Sequence, residues 1–129
     1  MANYSIQKTI EGEFQEVVAQ VKEALKSEGF GVLTEINVSE TLKKKLTVDY
    51  PEYVILGACN PQSAYAALQA EKEIGLLLPC NVIVYKDNQK VTVAVIRPTI
   101  AMQMTDNSKI TAIAEEVEEK LKNVISQLN

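Results

Sequence analysis

The spacing of apolar residues changes several times along this chain, and each change marks an element. Residues 4–10 alternate (YSIQKTI) and stop at Glu11-Gly12, the pattern of a half-buried first strand. Phe14, Val17, Val18, Val21 and Leu25 then recur at intervals of three and four, which predicts one face of an amphipathic helix ended by Gly29. Residues 30–36 read as a second strand. A helix between two such strands forms a βαβ unit, whose expected pairing is parallel with a right-handed crossover. Ser39 is a suitable N-cap for a short helix through Leu46, with Leu42 and Leu46 expected to face inward.

An apolar strand follows over residues 52–58 (EYVILGA), and Asn60-Pro61 then gives a clear helix start: an N-cap residue type and a proline in the first turn. That helix is expected to run to about Glu73, with Ala64, Ala67, Leu68 and Glu71 on successive turns. Pro79 breaks the next apolar stretch. Residues 82–85 and 90–96 predict two strands joined by the turn residues Asp87-Asn88-Gln89, and Arg97-Pro98 closes the hairpin. After a linking segment over 99–107, Ile110, Ile113, Ala114, Val117, Leu121, Val124, Ile125 and Leu128 draw one helical stripe. Glu115, Glu116, Glu118 and Glu119 are placed outside it.

The predicted order is β-α-β-α-β-α-β-β-α, within a single domain over residues 1–129. It implies an α/β (α+β-like) fold: a two-layer α/β sandwich on a five-stranded mixed sheet. Strands such as YVILGA and NVIVY are apolar at nearly every position, as if buried on both faces. Helices on one face leave the other in need of cover, either from the short helix at 39–46 or from a second subunit. A homodimer is therefore expected, with apolar sheet residues at its centre.

Charge and composition narrow the function classes. Thirteen basic against 17 acidic residues give a net charge of −4, and the only basic run, Lys43-Lys44-Lys45, is flanked by acids. Nucleic acid is not an expected partner. No apolar run approaches the roughly 20 residues that span a bilayer, and the N-terminus lacks the layout of a signal peptide. The expected setting is the cytoplasm, with reduced thiols and no membrane partner. The chain has no histidine, which removes the commonest proton shuttle and metal ligand together and excludes Ser-His and Cys-His nucleophiles. No glycine-rich phosphate loop is present, and no cofactor is expected.

What remains is the segment LGACNPQSAYAALQAEKEIGLLLPCN at 56–81, which contains both cysteines, each followed by asparagine. Cys59 and Cys80 can be small apolar residues at strand ends, and Asn60 and Pro61 a plain helix start. Alternatively, a thiol just before a helix N-terminus is favoured as thiolate. Whether the two meet depends on residues 74–79. A single tight turn would put Cys80 at the opposite edge of the sheet, whereas an extended return covers the roughly 20 Å needed to bring them together. Gly75 and Pro79 favour the irregular return. Neither cysteine spacing is a metal or redox signature, and no metal site is expected. Met102 and Met104 are soft thioethers suited to copper(I), but their ordinary roles are core packing and loop. Arg97, the only arginine, is suited to clamping a carboxylate or phosphate, although a surface ion pair is its commoner use. Tyr50, Tyr53 and Tyr65 cluster near the cysteine segment in sequence.

The block LGACNP, a helix, and then IGLLLPCNVIVY resembles the prokaryotic family of domain of unknown function 302, as do the lead-in TLKKKL and the first strand-helix-strand unit. The resemblance spans nearly the whole chain. It implies a compact α/β domain found alone or in tandem, with homodimers, and no established activity. The matching positions are Cys59, Asn60, Pro61, Gly75, Pro79, Cys80 and Asn81. The resulting expectation is a binding or regulatory domain with a small ligand or ion near Cys59, Asn60, Cys80, Asn81 and Arg97, and with Pro61, Gly75 and Pro79 as structural residues. The alternatives are a thiol-dependent redox or sulfur-handling enzyme and a structural interaction module.

Overall fold

The computed structural model describes residues 3–129. Its elements are β1 (Ser5–Ile10), α1 (Phe14–Ser27), β2 (Gly31–Asn37), α2 (Val38–Leu46), β3 (Tyr53–Cys59), α3 (Pro61–Ala70), a 3-10 segment (Lys72–Leu77), β4 (Cys80–Asp87), β5 (Lys90–Ile96), α4 (Pro98–Ala101), a 3-10 turn (Gln103–Thr105) and α5 (Ser108–Ser126).

The five strands form one sheet in the order β1-β5-β4-β3-β2, and every neighbouring pair is antiparallel. This corrects the mixed sheet expected from the sequence. β1 and β2 do run in the same direction, as the crossover through α1 requires, but β5, β4 and β3 lie between them. The periodicity of a strand encodes which face each residue takes, not which strand lies beside it. Here the β4–β5 hairpin fills the gap that a compact βαβ unit would have closed. Its turn is Asn88-Gln89, with Asn88 at φ 60°.

One face of the sheet carries the main core. Ile10, Val54, Leu56, Val82, Val84, Val91, Val93 and Val95 pack there against Val17, Val21 and Leu25 of α1 and Leu121, Val124 and Ile125 of α5. Fully burying such side chains stabilises the fold by about 1.5–3 kcal/mol each. The α1 helix ends in a hydrogen-bonded Schellman cap. Phe30 N–H donates to the Leu25 carbonyl and Gly29 N–H to that of Lys26, with Gly29 at φ 85°, where a side chain would be strained. A smaller cluster of Ala67, Ile74, Met102, Ile110 and Ala114 joins α3, the 3-10 segment and the far end of α5.

The short helix begins two residues earlier than its sequence suggests, with Asn37 rather than Ser39 as N-cap. None of its residues is fully buried, and Leu46, expected to face inward, is 67% exposed. The opposite face of the sheet presents Ile36, Ile55, Ile83, Tyr53 and Tyr85, all only partly covered, with the Tyr53 and Tyr85 rings stacked at 5.5 Å. The two edges are irregular in different ways. β2 carries a bulge at Leu33, between Val32 and Thr34. On β1, Lys8 lies on the helix-bearing face and donates from Nζ to the Leu128 carbonyl beyond α5 at 2.6 Å.

Candidate functional site

The two Cys-Asn pairs converge because β3 and β4 are antiparallel neighbours. Ala58 pairs with Cys80 and Gly57 with Asn81, so Cys80 lies across the ladder beside Cys59. The connection is neither the tight turn nor the extended return considered from the sequence. α3 ends at Ala70, short of Glu73, and residues 72–77 wind back as a 3-10 helix. At about 2 Å per residue, six such residues recover most of the rise of the ten-residue helix. The Leu78–Pro79 peptide bond is cis.

Local chemistry fixes each part of this junction. The Asn60 side-chain oxygen accepts from Ser63 N–H at 3.2 Å and Pro61 occupies the first helical turn, as expected. Gly57 is obligatory. A Cβ there would overlap the Thr34 side chain and lie 2.9 Å from Pro79 Cγ, so the glycine lets the proline ring close over the strand. At Gly75 a Cβ would meet open space, and nothing in the structure explains the glycine.

Between the two core clusters lies an apolar cavity of about 30 Å³, lined by fifteen residues. Phe30, Ala58 and Val117 belong to its wall on the main-core side, and Ala67, Ala114 and Met102 on the other. Cys59 and Cys80 both line it, with Asn60, Ser63, Pro79 and Pro98. Cys59 is half-buried and Cys80 is buried, and neither is in a disulfide. Burial pushes both thiols up, and Cys80, with Cys59 beside it, reaches a pKa of about 11. Desolvation thus acts against the thiolate that the start of α3 would favour.

Asn81 and Arg97 do not line this cavity. Asn81 alternates to the other face of the sheet, where it is exposed beside a shallow apolar cleft formed with Tyr4, Ile83, Ala94 and Ile96. Arg97 Nε donates to Glu118 Oε2 at 3.2 Å, and its Nη1 donates to the Asn3 carbonyl at 2.9 Å. Glu118, which the sequence places outside the core stripe, is only 4% exposed. Its other oxygen accepts from Thr99 N–H at 3.0 Å and Thr99 Oγ1 at 2.6 Å. Burial works to raise this carboxyl, but the Thr99 bonds and the Arg97 guanidinium outweigh it and hold it below its ordinary range.

Sequence reasoning missed Glu118, and it named Met102 and Met104 as one core and one loop residue without placing Met102 in a cavity wall. The one available signal was small residues, Ala64, Ala67 and Ala114, on two helices that face each other and leave room between them. Met104, 77% exposed, is outside the cavity. Among the described residues no group of three or more His, Cys, Asp and Glu side chains is placed to hold a metal ion, and no helix is long and apolar enough to cross a membrane.

An antiparallel five-stranded α/β sandwich with a thiol-lined seam between its cores defines the class of domain. The chain belongs to the family called domain of unknown function DUF302, whose model matches residues 6–128. It is similar to a solved structure described as an uncharacterized conserved protein DUF302 from Bacillus stearothermophilus, at 30% identity and a TM-score of 0.92, covering 99% of this chain and 100% of that one. No curated protein matches the chain.

Proposed function

We propose that this is a cytoplasmic binding or regulatory domain that holds a small ligand or ion in the cavity at Cys59 and Cys80. The observation that supports the reading is that both cysteines line one apolar void. Its size decides the class of occupant. A void of about 30 Å³ suits an ion or a species of a few atoms, whereas metabolite pockets run to roughly 300–1,000 Å³. A thermal-shift screen over small anions, small uncharged sulfur species and soft metal ions tests it. The expected result is a stabilising hit that disappears in Cys59→Ala; hits that persist unchanged in that variant place the site elsewhere.

A thiol-dependent redox or sulfur-handling enzyme is the second reading, favoured by the pairing of the cysteines and opposed by the upward push on both thiols. Alkylation rates across pH separate the two. Thiols that resist alkylation below pH 8 in the folded protein exclude the enzyme. The third reading, a structural interaction module, requires an empty screen and silent cysteine substitutions.

The domain also pairs with a second copy in this proposal, through the sheet face bearing Ile36, Ile55, Ile83, Tyr53 and Tyr85. A half-exposed apolar face of this kind is what a two-fold interface buries. Light scattering should give twice the 14.2 kDa chain mass at micromolar concentration, and Ile83→Lys should halve it. A monomer that persists at high concentration overturns the dimer.

A further inference from the structure

We propose that the cleft where Tyr50, Tyr53 and Tyr85 meet binds an organic cation with an alkylated ammonium head. It lies on the sheet face opposite α1 and α5, at the end away from the cysteines, and is separate from their cavity. Its volume is about 480 Å³, within the range of small-molecule pockets. Strand register places its residues. Tyr53 pairs with Tyr85 across β3 and β4, and Ile83 and Asp87 alternate to the same face of β4. The Tyr53 and Tyr85 rings stack at 5.5 Å. Tyr50 meets Tyr53 at 6.2 Å and an angle of 59°, so the three rings form an open corner rather than a flat stack. Tyr50 precedes β3, where Pro51 restricts the backbone and the Glu52 carbonyl accepts from Lys86 N–H at 2.9 Å.

The walls select the charge of the ligand. An aromatic ring carries negative potential over its face and attracts a cation there, and several rings around one site are the arrangement that recognises quaternary and methylated ammonium groups. The charged side chains add the same preference. Glu52 and Asp87 both line the cleft, and among the described residues neither is in an ion pair. Lys86 also borders it, but alternation turns its side chain to the opposite face, the side of its partner Val91. Lys90, across the hairpin from Asp87, lines a neighbouring depression with Thr9 and Thr92 instead. An anion is opposed by rings and carboxylates alike. An alkylated ammonium, which has few N–H donors left to hold water, fits both.

The chain has five tyrosines and no tryptophan, so tyrosine fluorescence reads the cleft directly. The probe is choline, set against its uncharged isostere 3,3-dimethylbutan-1-ol and against sodium chloride at equal ionic strength. Tyr53, Tyr85 and Ile83 also belong to the face assigned to a second copy, so the titration is run below the concentration at which light scattering gives a dimer. A saturable change with choline is expected, with the isostere at least about threefold weaker and no response to sodium. Tyr50→Leu, at a residue 50% exposed, should keep the fold and weaken choline at least about threefold. Tyr50→Phe, which keeps the ring, and Tyr65→Phe, outside the cleft, should leave the affinity unchanged. The absence of a saturable response overturns the assignment, as does equal affinity for the isostere. Unchanged affinity in Tyr50→Leu, or an equal loss in Tyr50→Phe, overturns it too. None of these readouts involves Cys59 or Cys80, so the cysteine cavity stands or falls on its own screen.

Discussion

The cavity and the Arg97–Glu118 corner are built back to back and with opposite economy. Pro98 and Val117 line the cavity, while their chain neighbours Arg97, Thr99 and Glu118 turn away into a polar cluster. In that cluster every strong group is used: one Glu118 oxygen takes two bonds from Thr99 and the other takes Arg97. Among the described residues no buried side-chain nitrogen or oxygen lacks a partner. The cavity, by contrast, is lined by Cys59, Cys80 and Met102 among mainly apolar residues. Satisfied polar groups fix a structure, and unspent soft donors beside a void leave capacity for a ligand. The comparison teaches that the Arg97–Glu118 pair ties α5 to the start of α4, and that the proposed ligand is to be sought in the quieter apolar seam.

The comparison can be broken first at the corner. Glu118→Ala removes three hydrogen bonds and leaves Arg97 with only its bond to the Asn3 carbonyl, so it should cost about 3 kcal/mol by chemical denaturation while leaving ligand-dependent thermal shifts in place. The carboxyl is held low in the folded state, so its contribution is present above the ordinary carboxylate range and lost as pH falls through the depressed value. Glu118→Gln should therefore flatten the acid limb of the stability profile. A variant with an unchanged acid limb removes the corner from the account.

Cys80 should act at the other end of the pH scale. Its folded pKa of about 11 lies above the ordinary value of 9.0, so its contribution is fully present below pH 9 and is lost as pH rises through 11. The loss should approach about 2–3 kcal/mol, and Cys80→Ala should lack this limb of the denaturation profile. Gly57→Ala should cost about 2 kcal/mol by overpacking against Thr34 and Pro79, and it should also disturb the cavity, because Pro79 belongs to its wall. The smallest effect sharpens the contrast most. Cys59→Ala, at a half-buried site, should shift stability by no more than about 0.5 kcal/mol yet erase ligand-induced stabilisation. A large loss of stability there would make Cys59 a packing residue.

Much of this was legible before the fold was known. Asn60-Pro61 announces α3 because a side-chain cap and a proline in the first turn are local signals that need no partner. The stripe from Ile110 to Leu128 announces α5 for the same reason. Strand neighbours were not legible, because β1 and β2 carry the same alternation whether adjacent or three strands apart. Glu118 looked like one solvent-facing glutamate among four, since its neutralising partners, Arg97 and Thr99, lie about twenty residues away and only tertiary packing brings them in. The meeting of Cys59 and Cys80 was anticipated, but its route through a 3-10 segment was not. Asn81 was grouped with Cys80 by adjacency, although alternation along β4 sends the two to opposite faces.

The two edges of the sheet bear on aggregation. An unpaired edge strand is a template for another chain, and proteins blunt it with bulges or inward-pointing charges. This sheet has one device at each end. The bulge at Leu33 interrupts the ladder of β2, and Lys8 on β1 turns its ammonium inward to the carbonyl of Leu128, where a continued sheet would have to displace it. Growth of the sheet strand by strand is thereby discouraged in both directions. In the dimer proposed above the two sheets would stack face to face, about 10 Å apart, and such a two-fold pairing closes after two copies and has no open end from which a fibre can lengthen.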